Sequence, residues 1–213
     1  RRTIDWRACR QSFTPWPRLP NVDSNDVRRE WADRSGEYSP AYYAQLGSDE
    51  ASEFLVSTLE RRVGQDARVL ELGCSSGRHL AALADAGFTN LAGIDVNPDA
   101  LDVLAESYPA LAETGTFRAA SIEEFLPELP DDAFDAVVSV ETLQHVHPDE
   151  AWVFDEIARV AGELVVVVEY EDGDPGTVTE VRGGIPLYVR DWSAEFTSRG
   201  LREVDSTTTT RDR

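Results

Sequence analysis

The 213 residues suffice for one α/β domain with a core large enough to fold without disulfides or a metal. Forty acidic residues face twenty basic ones, all arginine, and a formal charge of −20 argues against a general nucleic-acid or anionic-membrane partner. Hydrophobic residues at 41% make the chain globular, the longest aliphatic run (Leu164 to Val168) is too short to span a membrane, and two cysteines, Cys9 and Cys74, rule out a disulfide scaffold.

No N-terminal apolar stretch resembles a secretory signal, so the expected location is the cytoplasm. Methionine is absent throughout, as in a trimmed or processed chain. The acid excess resembles the surfaces of proteins from salt-loving organisms, where carboxylates hold water and cations. The charge is uneven: residues 1–34 hold eight arginines against five acids, whereas the rest is strongly acidic.

In chain order, Trp6, Phe13 and Trp16 with Pro15, Pro17 and Pro20 predict an extended arm lying on a domain. Residues 26–34 read as helical. Ser39 before Pro40 reads as a cap and first turn of a short helix that Gly47 ends. Ala51, Leu55, Leu59 and Val63 place one apolar face on a helix over 49–63. From residue 67 strands and helices alternate. Strands are expected at 68–72, 91–95, 116–120, 134–140, 164–168 and 201–208, and helices at 78–86, 97–108, 150–160 and 191–199. Ser121 and Glu124 form a capping-box pattern over one turn. Residues 173–186, with Asp174-Pro175-Gly176 and Gly183-Gly184, read as a mobile loop. Near-continuous Val/Leu strands with intervening helices mean a doubly wound, mostly parallel sheet whose ligands bind beyond the strands' carboxyl ends.

Those ends carry the informative residues. The first core strand runs into Glu71-Leu-Gly73-Cys-Ser-Ser-Gly77 and then a helix, a turn where glycines let a ligand approach the backbone. The Gly-x-x-x-Gly spacing differs from that of dinucleotide enzymes, and without lysine there is no Tyr-x-x-x-Lys pair, so a nicotinamide oxidoreductase is disfavoured. Asp95, 22 residues after Gly73, ends the next strand, where a carboxylate can accept hydrogen bonds from both hydroxyls of a ribose. Residues 69–80 (VLELGCSSGRHL), 93–97 (GIDVN) and 134–140 (FDAVVSV), in this order, resemble the successive motifs of class I S-adenosylmethionine-dependent methyltransferases. The resemblance covers about residues 49–210.

It implies S-adenosylmethionine as cofactor, a Rossmann-like methyltransferase fold over 49–213 and an N-terminal arm and lid over 1–48. It implies that Glu71, Gly73, Cys74 and Gly77 surround the methionine part and ribose, with Cys74 more a filler of the tight turn than a nucleophile. Asp95 would bind the ribose hydroxyls, and Val96 would pack on the adenine. Ser121 and Ile122 would flank the adenine, and Val140 would offer its carbonyl near the methionine amino group. Tyr38 would reach the cofactor carboxylate from the lid, where Trp31, Tyr42 and Tyr43 add aromatic cover. Two departures stand out. The family commonly has glycine at Ser75 and aspartate at Ser121. The family's final antiparallel strand is also expected to be missing, since only Arg-Asp-Arg follows Thr210.

A sulfonium methyl is already activated, so such a protein mainly aligns and shields it. His145, beside Glu141 and His147 after the fourth core strand, is the candidate base where the acceptor loses a proton; a metal held by these three is not expected. The expected acceptor is a small molecule methylated on oxygen or nitrogen, with no nucleic-acid or membrane partner. Methylation of RNA or protein, and a non-catalytic cofactor-binding regulator, are the alternatives.

Overall fold

A computed structural model describes residues 2–10, 22–181 and 184–210, with side chains throughout except at 6–10 and 208–210. The expected anchors Phe13 and Trp16, prolines Pro15, Pro17 and Pro20, and Gly183 lie outside the described residues, as do the side chains of Trp6 and Cys9. Strand β1 (Thr3–Arg10) is followed by helices α1 (Ser24–Ala32), α2 (Pro40–Leu46) and α3 (Glu50–Arg62). The alternating core follows: β2 (Arg68–Leu72), α4 (Arg78–Asp85), β3 (Asn90–Asp95), α5 (Asp99–Ser107), α6 (Pro109–Thr114), β4 (Thr116–Ala119), α7 (Ile122–Phe125), β5 (Phe134–Val140), α8 (Val153–Val160) and β6 (Ala161–Tyr170). Then come β7 (Val178–Val181), β8 (Ile185–Tyr188), α9 (Trp192–Thr197) and β9 (Arg202–Thr210). Among the described residues no helix is long and apolar enough to cross a membrane.

Seven strands form one sheet in the order β4-β3-β2-β5-β6-β1-β9, and every pairing in it is parallel. Alternate residues of the Val/Leu strands feed two cores. Leu70, Leu72, Val137, Val165 and Val167 face the side covered by α8 and α9. Val69, Val138, Val166 and Val168 face α3 and α4. Each such side chain contributes about 1.5–3 kcal/mol by leaving water. The chain passes from β2 to β3 and β4 on one side and resumes with β5 and β6 on the other. That reversal opens a crevice at the carboxyl ends of β2 and β5.

Three expectations change. Residues 3–10 are not an arm on the domain but a strand inside the sheet, paired to β6 from Thr3↔Leu164 to Cys9↔Tyr170 and to β9 on its other side. Ile4 is fully buried in the core that holds Trp192 and Phe196. The proline-spaced sequence that follows hides this, because the pairing partners lie at the opposite end of the chain. Accordingly the sheet is not one strand short: β1 stands between β6 and β9, and no antiparallel strand joins this sheet among the described residues. Finally, the stretch expected as a mobile loop contains an antiparallel hairpin, β7 with β8, from Val178↔Tyr188 to Val181↔Ile185. Leu187, Tyr170 and Val189 give it a small core of its own.

Candidate active site

The turn after β2 is shaped by glycine where two segments meet. At Gly73 (φ 70°) an added Cβ would lie 2.3 Å from Thr142 Oγ1, so the loop after β5 packs directly on this backbone. At Gly77 (φ 79°) a Cβ would lie 2.6 Å from Leu104 of α5. Ser75, between them, also has a left-handed backbone (φ 47°), which explains why glycine suits that place. Cys74 is buried against Gly93, and burial pushes its thiol well above the usual range, so it packs rather than attacks.

The Asp95 carboxylate stands at the end of β3 with both oxygens oriented. Oδ2 accepts from the Ser75 amide at 2.8 Å, and Oδ1 accepts from the Asn97 amide at 2.8 Å. Burial raises its pKa, and these two amides pull it back. Each oxygen keeps a further lone pair. Asn97 is buried, and its side chain clasps the N-terminal segment. Its Nδ2 donates to the carbonyls of Trp31 (3.3 Å) and Arg34 (3.0 Å), while its Oδ1 accepts from the Asp99 amide at 3.0 Å. Arg28 of α1 adds ion pairs to Glu123 (3.0 Å) and Glu150 (3.4 Å). Helix α1 and the segment up to α2 therefore form one wall of a cleft enclosing about 1030 Å³ of space free of protein atoms, its open mouth included.

Tyr38, Gly73, Cys74, Asp95 and Val96 line this cleft, as do Ser121, Ile122, Val140 and His145. Two expected residues do not. Gly77 shapes the turn behind it. Glu71 is buried beneath it, its carboxyl raised by burial and its Oε2 without a hydrogen-bond partner among the described residues. Among the described residues, three of the four non-glycine residues with positive φ, Tyr38 (66°), Ser75 and Glu141 (50°), line the cleft, so backbone strain gathers there. Ser121 Oγ already accepts from the Glu124 amide at 3.2 Å, the cap half of the expected capping box. The Val140 carbonyl accepts from Thr142 Oγ1 at 3.1 Å and keeps its second lone pair.

His145 is 8% exposed and lies 4.7 Å, centroid to centroid, from the Trp31 ring. Its Nδ1 is 2.7 Å from the Pro186 carbonyl of β8, which assigns the proton to Nδ1 and leaves Nε2 as the acceptor, 3.4 Å from Gln144 Nε2. Burial lowers its pKa to about 4, so the ring is neutral at pH 7. His147 lies outside the cleft; its Nδ1 accepts from the Asp149 amide at 3.2 Å. Among the described residues no group of three or more His, Cys, Asp or Glu side chains is arranged to hold a metal.

Two residues at the site escaped sequence reasoning. Glu169 and Arg190 are both buried and both bond to the turn that carries His145. A glutamate closing a run of four valines was the one local signal.

Residues 70–164 match the model of a family described as "Methyltransferase domain". A tRNA U34 carboxymethyltransferase of Shewanella denitrificans is 32% identical over 177 residues, which are 78% of this chain and 46% of that protein. An O-methyltransferase of Pyrenophora dematioidea is 25% identical over 122 residues, 57% of this chain and 45% of that one. The chain thus spans less than half the length of these two relatives. Among solved structures, the 1,6-didemethyltoxoflavin-N1-methyltransferase of Burkholderia thailandensis, bound to 1,6-didemethyltoxoflavin and S-adenosylhomocysteine, superposes with a TM-score of 0.65 at 19% identity, covering 90% of this chain and 84% of that one. This last likeness is one of fold.

Proposed function

The chain carries a class I S-adenosylmethionine-dependent methyltransferase domain, and from that premise we propose that it moves a methyl group to an oxygen or nitrogen of a small acceptor held between α1 and the turn after β5. When bound, the cofactor supplies an activated sulfonium methyl, which leaves the protein to bind, align and exclude water.

One observation carries the reading: the Asp95 carboxylate, held by two backbone amides with a lone pair spare on each oxygen, suits two vicinal ribose hydroxyls. Val96 and Ile122 offer apolar contact for an adenine. Ser121 is a weaker partner for its amino group than aspartate, having already spent one acceptor site on a helix cap. The unpartnered Glu71 Oε2 and the free lone pair of the Val140 carbonyl fit a methionine ammonium nearby. Gly73 admits the close approach, Gly77 starts α4, Cys74 fills the turn, and the Tyr38 hydroxyl serves the cofactor carboxylate. If the acceptor must shed a proton, His145 accepts it at Nε2.

The small-acceptor reading rests on the acidity of the chain, which repels polyanions. The Shewanella denitrificans relative, named for tRNA, favours RNA as the second reading. The scarcity of cysteine suits a cytoplasmic enzyme. Calorimetry tests the cofactor site: Asp95→Ala should weaken S-adenosylmethionine binding by about 2–4 kcal/mol. Unchanged affinity refutes the placement, and tighter binding of NADH refutes the cofactor. Labelled methyl transferred to metabolite pools and not to bulk RNA supports the small acceptor; the reverse selects RNA, and no turnover with either points to a regulator.

A further inference from the structure

The turn 141–146 presents Glu141 and His145 to the cleft and lies against Gly73, yet its only regular structure is one short 3-10 turn over Leu143–His145. What holds it is a pair of opposite charges buried on either side. Glu169, fully buried at the end of β6, collects its amides. Oε1 accepts from Thr142 N (3.2 Å), Leu143 N (3.0 Å) and Ser139 Oγ (2.6 Å), and Oε2 accepts from Gln144 N (3.3 Å). Three successive amides converging on one carboxylate form an anion nest whose anion is covalently part of the protein. Arg190, 9% exposed, collects carbonyls instead. Nη1 donates to Leu143 and Tyr188 (both 3.3 Å), and Nη2 donates to Val146. Its guanidinium is caged by the rings of Phe154, Tyr188 and Trp192 at 5.1–5.7 Å, so it has little freedom to move.

Burying two ionised groups costs free energy that well-packed apolar side chains would avoid. Here five of the seven hydrogen bonds they make with these partners end on one six-residue turn. Resting on the methyl-transfer reading above, we propose that Glu169 and Arg190 are positioning residues for the reaction: together they set where Glu141 and His145 stand against the acceptor. Neither touches the cleft; both act through the turn.

The groups facing Glu169 are Ser139 of β5, the three turn amides and, at longer range, Arg190. Burial raises the Glu169 carboxyl to about 7, against the pull of its donors. The ionised form accepts all four bonds, whereas the protonated form has a hydrogen where an amide must be met. Turnover should therefore rise with pH through about 7. Stability from this group should run the other way, because a carboxyl raised above its unfolded value contributes most at low pH and loses that contribution as pH climbs through 7. A merely structural role would not move activity and stability in opposite directions.

The test compares Glu169→Gln and Arg190→Lys with wild type. We expect kcat to fall at least about tenfold in each, with S-adenosylmethionine affinity within about threefold of wild type. The acid limb near pH 7 should vanish in Glu169→Gln. Amides 142–144 should exchange with solvent at least about tenfold faster in that variant, a readout independent of turnover. Should Glu169→Gln fail to fold, Glu169→Asp, which keeps the charge but retracts it, should show the same loss of kcat and protection. Wild-type kcat, or undiminished protection of amides 142–144, in a folded variant overturns the proposal. Wild-type protein that binds cofactor but methylates nothing overturns the methyl-transfer reading instead, and the exchange arm still decides the clamp.

Discussion

At Ser75 the backbone bears a conformation that costs a side chain about 1–2 kcal/mol. Glycine there would relieve it at some expense in unfolded-state entropy. Ser75→Gly should thus stabilise the protein by about 1 kcal/mol, raising Tm by roughly 2–4 °C in calorimetry, and an unchanged or lowered Tm would show the strain is relaxed otherwise. His145 poses the opposite case, a residue whose identity suggests a base but whose burial makes it a weak one. With its pKa lowered to about 4 it is neutral and available at pH 7, though it offers little driving force to a stubborn proton. His145→Ala should lower kcat by about 10²-fold with cofactor affinity unchanged; equal turnover leaves alignment alone as the catalyst. A depressed histidine stabilises the fold above pH 6.5, and that contribution is lost as pH falls from 6.5 through 4. The same variant should therefore lose less stability over that window in denaturant titrations.

Among the elements, α1 stands out, because one amide side chain, beside the Arg28 ion pairs, anchors it over the cleft. Asn97 donates to two carbonyls at its C-terminal end while capping the start of α5. Asn97→Asp keeps the acceptor for Asp99 and removes the donors. Hydrogen exchange should then quicken by at least about tenfold in residues 24–38 and stay as before in α5. Equal exchange in both would mean that Arg28 and its two glutamates suffice to hold the helix. Helix α6 follows the same local logic in reverse: Tyr108 ends α5 and Pro109 begins a new helix, a start signal plain in sequence but easily passed over after a longer helix.

For the molecule as a whole, the formal charge of −20 is the dominant electrostatic fact. Self-repulsion opposes folding at low ionic strength, and the Debye length falls from about 10 Å at 0.1 M to about 3 Å at 1 M salt. Tm should climb with KCl well past physiological strength; a flat curve would make the acidity incidental and remove the link to salt-loving organisms. Part of the charge is already matched internally, as in Arg159 with Glu156 (2.7 Å) and Asp131 (2.9 Å). The repulsion to be screened is therefore that of the unpaired surplus.

What the chain determines by itself is what neighbours in sequence can encode. Near-continuous runs of valine and leucine declare the buried strands, and Gly73 and Gly77 declare a turn that lets backbones approach. Asp95 at a strand end declares a hydrogen-bonding carboxylate. Each signal spans a few residues, and each falls where the switch point of a parallel sheet gathers strand ends. Only the tertiary structure decides the rest. Strand β1 finds its place through ladder bonds to β6 and β9, whose residues share nothing local with it. His145 becomes neutral because folding buries it under the α1 wall, against the opposing pull of the hydrogen bond its Nδ1 donates to the Pro186 carbonyl 41 positions away. Glu169 and Arg190 gain meaning only when β5, β6 and the β7–β8 hairpin bring one turn between them, since a buried charge is defined by the partners folding brings to it.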